Sequence, residues 1–302
     1  MQCKKRILGI CDSHDAGVAV LEGDRLVFAV NEERFDRDKL SVGFPVNALS
    51  RCLELNRLSL NDFDVVVVGS MILPNLFFRV FRKTYKLIKR TASDFSILAD
   101  FSSFYQMIAR KIRLLMRIET TLTGTYFRYK YLKGLKKPIV FVDHHLCHAA
   151  GAYYTSGLEN ALVVTMDGVG DGVSLSVSVG KGKNMRRLFE QSCLSQSSHY
   201  YSRITETLGF RAMRHEGKVT GLAAYGNPDK LSCVAERFLS FRGPGFGRDF
   251  LYALNPFERW EYRRLKRFKK EDVAAAFQLN LEREVGKFIS YWLEKTGKKD
   301  VV

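Results

Sequence analysis

The stretch Asp143-His144-His145-Leu146-Cys147-His148-Ala149-Ala150 gathers three of the chain's six histidines into five residues. His144 and His148 stand four positions apart, so on a helix both imidazoles leave from one face and can reach a single cation. Taken alone, such a pair reads more readily as capping or packed histidines. Asp167 changes that reading. It follows an apolar run, nineteen residues after His148, and opens Gly168-Val169-Gly170-Asp171-Gly172. A carboxylate at a strand end can hold a metal, and a glycine-rich turn offers backbone N–H groups, here at Gly168 and Gly170, to a phosphate. A hairpin turn rich in Gly and Asp has the same composition. Two imidazoles and one carboxylate suit Fe(II) and also Zn(II).

Two further clusters carry polar chemistry. Glu216-Gly217-Lys218-Val219-Thr220-Gly221 sets a lysine among small residues. Lys218 there could meet a nucleotide phosphate while Gly221 permits close backbone approach. The cluster lacks the spacing of the usual phosphate-binding loop, and a tight helix junction accounts for it equally well. Near the start, His14-Asp15 precedes Glu32-Glu33-Arg34-Phe35-Asp36-Arg37-Asp38-Lys39 and Gly43-Phe44-Pro45. Standing alone, that charge run reads as a solvated loop and His14 as a turn residue.

The elements that must position these residues follow from the apolar pattern. Arg6 to Cys11, Gly17 to Leu21 and Arg25 to Val30 read as strands of a small meander, with a turn at Glu22-Gly23-Asp24. A helix is expected from about Pro45 to Leu55, and Val65 to Val68 reads as a buried strand. Residues 72 to 137 mix basic and aromatic residues at helical spacing and read as a helical insertion, after which Ile139 to Val142 returns to a strand. A second meander opens at Ala161, with strands over Leu162 to Met166 and Ser174 to Val179. Glu271 to Glu294 is an amphipathic helix with Val273, Phe277, Leu281, Val285, Phe288 and Trp292 along one face. Two strand-rich openings, each followed by helices, predict an α/β protein of two similar lobes, as in the actin-like ATPase fold. The lobes are expected at 1–155 and 156–302.

Composition bounds the partners. The 302 residues are 46% hydrophobic, ample for a packed core, and no stretch has signal-peptide or membrane-spanning length. Six scattered cysteines without paired spacing argue against a disulfide framework, so a cytoplasmic setting is expected. The net charge of +16 is concentrated: residues 79 to 137 hold fifteen Lys and Arg against Asp94, Asp100 and Glu119. That segment shows no recognised nucleic-acid motif, so no nucleic acid is expected, whereas Phe77, Phe78, Phe81 and Tyr85 among basic residues allow an anionic surface contact.

Taken together, the clusters resemble the O-carbamoyltransferase family of the nodulation, cephamycin and tobramycin type. The matching motifs are Ile7 to Ile10, His14-Asp15, Glu32 to Phe35 with Arg37 and Lys39, Gly43 to Pro45, His144 to Ala149, Asp167 to Gly170, and Glu216 to Gly226. The resemblance implies an actin-like, two-lobed domain in which His144, His148 and Asp167 bind iron and the metal meets the phosphates of a nucleotide. It further implies ATP and carbamoyl-adenylate as the nucleotide species, and carbamoyl transfer to a hydroxyl of a sugar, lipo-oligosaccharide or antibiotic. His14, oriented by Asp15, is the expected base, Lys218 the phosphate contact, and Arg34, Arg37 and Lys39 a contact to acceptor or donor. Family members continue with a further metal-binding aspartate and an adenylate-forming domain. The chain is therefore expected to be the N-terminal portion, truncated in its second lobe and inactive alone. Two other readings stay open: a catalytically incomplete nucleotide-binding module, and a basic protein that binds nucleic acid or anionic lipid.

Overall fold

The computed structural model describes residues 4–72, 74–91, 97–247 and 256–302. The chain divides into two compact units, Met1–Thr91 with Ile108–Cys147, and Ala92–Met107 with His148–Val302.

In the first unit, β1 (Arg6–Cys11), β2 (Gly17–Glu22) and β3 (Arg25–Asn31) form an antiparallel meander. Gly23 makes the tight turn between β2 and β3 in the left-handed region, where a side chain would be strained. Two short helices follow, α1 (Glu33–Asp36) and α2 (Val46–Asn56), and then β4 (Val65–Val68), which pairs parallel to β1. Between β4 and the last strand of this sheet the described residues include the helices α3 (Leu76–Val80), α4 (Arg82–Thr91), α5 (Ile97–Lys111) and α6 (Arg113–Lys130). Strand β5 (Ile139–Phe141) then completes the order β3-β2-β1-β4-β5. Period-two alternation sends Leu8, Ile10, Val18, Val20, Val66 and Val68 inward, where Phe44, Leu49, Phe63 and Phe127 meet them.

A buried ion pair ties the helical segment to this sheet. Arg79 of α3 donates from Nε to Asp12 Oδ2 at 2.7 Å and from Nη2 to Asp12 Oδ1 at 3.2 Å. Asp12 is the residue that leaves β1, and both side chains are nearly inaccessible. The guanidinium also donates to Thr123 Oγ1 of α6 and to the Ser70 carbonyl, and it faces the rings of Phe127 and Phe141. Every face of the cation therefore meets either an acceptor or a π-system.

The second unit carries its own antiparallel meander, β6 (Asn160–Gly170), β7 (Val173–Lys181) and β8 (Asn184–Ser192), preceded by helix α7 (His144–Thr155) that begins at the end of the first unit. There follow α8 (Tyr200–Thr207), α9 (Glu216–Ala223), α10 (Ser232–Ala235), the small hairpin β9 (Phe241–Arg242) and β10 (Gly245–Phe246), α11 (Pro256–Arg264) and α12 (Lys270–Thr296). The apolar strip of α12 faces the core. Val273, Phe277, Phe288 and Trp292 are buried, and Leu281 and Val285 pack against the same cluster. Past α12, Val301 bridges Leu162 of β6 in parallel, with Leu162 N–H donating to Asp300 O and Val302 N–H to Leu162 O. Among the described residues no helix is long and apolar enough to cross a membrane.

Removing one member of a buried pair strands the other, at a typical cost of ~3–5 kcal/mol. Asp12→Ala should lower the unfolding free energy by about that amount. In urea titrations the double substitution Asp12→Ala/Arg79→Met should cost less than the sum of the single changes.

Candidate functional site

Helix α7 is fixed at its first turn before it presents any ligand. Asp143 precedes the helix and accepts the Leu146 N–H on Oδ1 at 2.8 Å, satisfying one of the free N–H groups of the terminus. Its Oδ2 takes Arg110 Nη1 at 2.6 Å. His145 points inward and is fully buried, and Ala149 and Tyr153 pack on Ala161 and Val163 of β6. His144 and His148, one turn apart, share the neighbouring, more exposed face of the helix.

Strand β6 supplies the carboxylate through a break in its ladder. Met166 pairs with Leu175 and Gly170 with Val173, so Asp167, Gly168 and Val169 stand opposite Ser174 alone. Such a bulge turns side chains off the regular alternation of a strand. Asp167 holds its own loop by accepting the Gly168 N–H on Oδ1 at 2.6 Å, and Ser198 donates to the Gly168 carbonyl at 2.5 Å. The other carboxylate oxygen faces His148 Nε2 at 3.8 Å.

His144, His148 and Asp167 each offer one donor atom, all within 4.8 Å of one another. Donors bound to one ion at 2.0–2.2 Å lie roughly 3–4 Å apart, and the His148 to Asp167 separation of 3.8 Å already falls in that range. The donor chemistry, two imidazoles and a carboxylate with open positions remaining, fits Fe(II) or Zn(II).

The other residues singled out in the sequence fall into two groups. In the first unit, His14 Nδ1 lies 3.1 Å from Asp15 Oδ2 at the turn after β1, with both side chains partly exposed. That turn is joined to the loop after α1: Gly43 N–H donates to Ser13 O, and Ala16 N–H to Ser41 O. The charge run is not a solvated loop throughout. Glu32 is fully buried, and its carboxylate accepts Asn47 N–H, Asn47 Nδ2 and Ala48 N–H at the start of α2. Glu33 accepts Leu40 N–H, and Asp36 accepts Asp38 N–H and Ser41 Oγ. The acids thus knit the loop, and Arg34, Arg37 and Lys39 are left exposed.

In the second unit, Lys218 and Gly221 lie on α9, whose buried side, Val219, joins the main core. Lys218 is exposed, and nothing lies within 4 Å of where a Cβ would stand on Gly217 or Gly221. The face is therefore open to a ligand's close approach. The Gly168 N–H, expected to serve a phosphate, is engaged by Asp167, and Gly170 is buried where β6 rejoins its ladder.

Three contributors escaped the sequence reading. The capping role of Asp143 had a signal, an acid just before a histidine-rich helix start. Arg110 and Ser198, distant in sequence, had none.

A mixed α/β chain with two meanders and a histidine–carboxylate cluster at a helix–strand junction is the class defined by these observations. The chain belongs to the carbamoyltransferase N-terminus family, which it matches over residues 6–301. It is 28% identical over 301 residues to an uncharacterized protein of Methanocaldococcus jannaschii, covering 98% of this chain and 47% of that protein. It is 28% identical over 291 residues to the nodulation protein NolNO of Sinorhizobium fredii, covering 95% of this chain and 39% of that protein. The chain thus spans less than half the length of these relatives. Among solved structures it is similar to full-length HypF in its phosphate- and nucleotide-bound form, at 12% identity and a TM-score of 0.46, covering 100% of this chain and 48% of that one.

Asp143→Ala removes the cap of α7 and one partner of Arg110. It should cost ~1–2 kcal/mol by urea unfolding, with Asp143→Asn, which keeps an acceptor, costing less.

Proposed function

We propose that this chain is the transfer half of an O-carbamoyltransferase, which moves a carbamoyl group from carbamoyl-adenylate to a hydroxyl of a sugar or other natural-product acceptor. The observation that carries the reading is the convergence of His144, His148 and Asp167 in a chain of this family. The two lobes, 1–155 and 156–302, are read as related halves of an actin-like fold. Their parallels support this: β1-β2-β3 has β4 beside it in parallel, and β6-β7-β8 has the Val301 bridge in the corresponding place. The relatives' greater length leaves room for an adenylate-forming domain elsewhere in the whole protein, and residues 1–302 alone would make no carbamoyl-adenylate.

In this proposal His144, His148 and Asp167 hold Fe(II), with Zn(II) as the other candidate. When bound, the ion would neutralise charge on the donor's phosphate. Lys218 approaches that phosphate from the exposed face of α9, where Gly221 leaves space, and Gly168 and Gly170, which flank Val169 after Asp167, are assigned to the same nucleotide. In the first unit His14 is the base. Asp15 fixes the Nδ1 side of the ring, which leaves Nε2 for the acceptor. The acceptor oxygen bonds to the carbamoyl carbon, the bond from that carbon to the phosphate oxygen breaks, and AMP leaves with the electron pair. The hydroxyl proton passes to His14. Arg34, Arg37 and Lys39, exposed on a loop stiffened by its acids, bind an anionic part of donor or acceptor. Small-molecule donor and acceptor are the partners, in the cytoplasm.

The metal is tested by elemental analysis of purified protein. Wild type should carry substoichiometric iron or zinc and His148→Ala essentially none, and equal contents would remove the site. The chemistry is tested in the whole protein with preformed carbamoyl-adenylate. His14→Ala should transfer ~10²-fold or more slowly with nucleotide affinity unchanged, whereas Lys218→Ala should weaken nucleotide binding. Wild-type transfer by His14→Ala would return His14 to a turn residue. Carbamoyl-adenylate synthesis by residues 1–302 alone would mean that the division of labour is wrong.

A further inference from the structure

Helix α6 has two apolar faces, and among the described residues one packs into the fold while the other is exposed. Thr123 and Phe127 are buried, Thr123 on the Arg79 guanidinium and Phe127 in the core of the first unit. On the other side Leu114 is 66% exposed, Ile118 46%, Leu122 49% and Tyr129 79%, with Leu115 beside them. At the helical angle per residue these five positions fall in an arc of about 100°, away from Phe127. Single exposed leucines are ordinary, but an aligned aliphatic row from Leu114 to Leu122, with Tyr129 on the same face beyond Thr125, is not.

Charge decides what could cover it. Arg113, Arg117 and Arg128 run along one edge of the stripe, and Lys130 lies near its other edge at the C-terminal end. Arg128 is held by the carbonyls of Leu135 and Lys137, which leaves its charge in place at the helix surface. The helix has one acid, Glu119, and its carboxylate accepts the Leu76 N–H. An apolar stripe bordered by cations is the pattern of a helix that lies in the plane of an anionic membrane surface, side chains inserted and arginines reaching the phosphates. A nucleic acid would gain nothing from the aliphatic row. A second copy docked face to face and antiparallel by two-fold symmetry would bring the arginine edges against one another.

We infer that the outward face of α6 docks this protein on an anionic lipid bilayer. The stripe is short, so the apolar contact alone is weak and the charge is required: neutral membranes are not bound. A carbamoyltransferase placed this way would meet acceptors that carry a lipid, but the docking itself does not depend on the proposed activity.

The test is flotation of the 302-residue chain with vesicles of phosphatidylcholine, and of phosphatidylcholine mixed equally with phosphatidylglycerol, at low and high salt. The chain should bind the mixed vesicles, lose most binding at high salt, and ignore phosphatidylcholine. Ile118→Glu/Leu122→Glu should abolish binding with an unchanged circular dichroism spectrum, since both positions are exposed. Arg113→Ser/Arg117→Ser should reduce partitioning by roughly tenfold or more. Unaltered binding by the Ile118/Leu122 variant overturns the proposal. So does failure of the wild type to bind mixed vesicles, whether the stripe is then found in a self-associated dimer by sedimentation or against the remainder of the whole protein.

Discussion

The pairing of Asp12 with Arg79 is the interaction on which the first unit depends. Its two charges are almost wholly removed from water, a large desolvation cost that only complete satisfaction of both groups offsets. The guanidinium meets a carboxylate, a threonine hydroxyl, a backbone carbonyl and two aromatic faces. Those contacts come from the end of β1, the loop after β4, α6 and β5. One cation therefore sets the positions of elements that are far apart in the chain. It also sets where the chain leaves β1, two residues before His14. The hydroxyl of Tyr85, buried nearby, finds no hydrogen-bond partner among the described residues, and burial pushes its phenol well above the ordinary range. That group stays neutral and does not compete for Arg79.

A second constraint governs the histidine–carboxylate cluster. A regular β6 would alternate its side chains inward and outward, and a regular α7 would need only a cap. The bulge at Asp167 and the Asp143 cap on α7 together bring three donors within reach of one ion. Both features are local irregularities held by specific hydrogen bonds, Gly168 N–H to Asp167 and Ser198 to the Gly168 carbonyl on one side, Arg110 to Asp143 on the other. Geometry of this kind is held where it is hydrogen-bonded and left open to solvent where His148 is exposed.

The basic segment shows how far net charge overstates available charge. Arg79 is internal, Arg110 is neutralised by Asp143, and Lys86 lies between Asp36 and Asp38. These cations serve the fold. Arg113 and Arg117 are exposed, and they border the apolar row of α6. Surface character therefore belongs to one helix face more than to the segment as a whole.

Period and composition alone located most of the regular structure, because strand and helix signals are local. The limits of β1 and β4 were legible to the residue, and the face of α12 that packs was readable from its apolar spacing. The motifs likewise located the candidate site: His144 and His148 are four apart whatever surrounds them, and Asp167 ends an apolar run. Tertiary structure decided the rest. Whether Asp167 turned toward the histidines depended on a bulge that exists only in the pairing of β6 with β7, residues distant enough that the β6 sequence alone does not announce it. Glu32, in a run that reads as solvated, is the buried cap of α2 because folding brings a helix start fifteen residues downstream onto it. Arg79 and Arg117 look alike in the sequence, yet one is interior and the other exposed, since burial of a cation depends on partners that only the folded chain assembles.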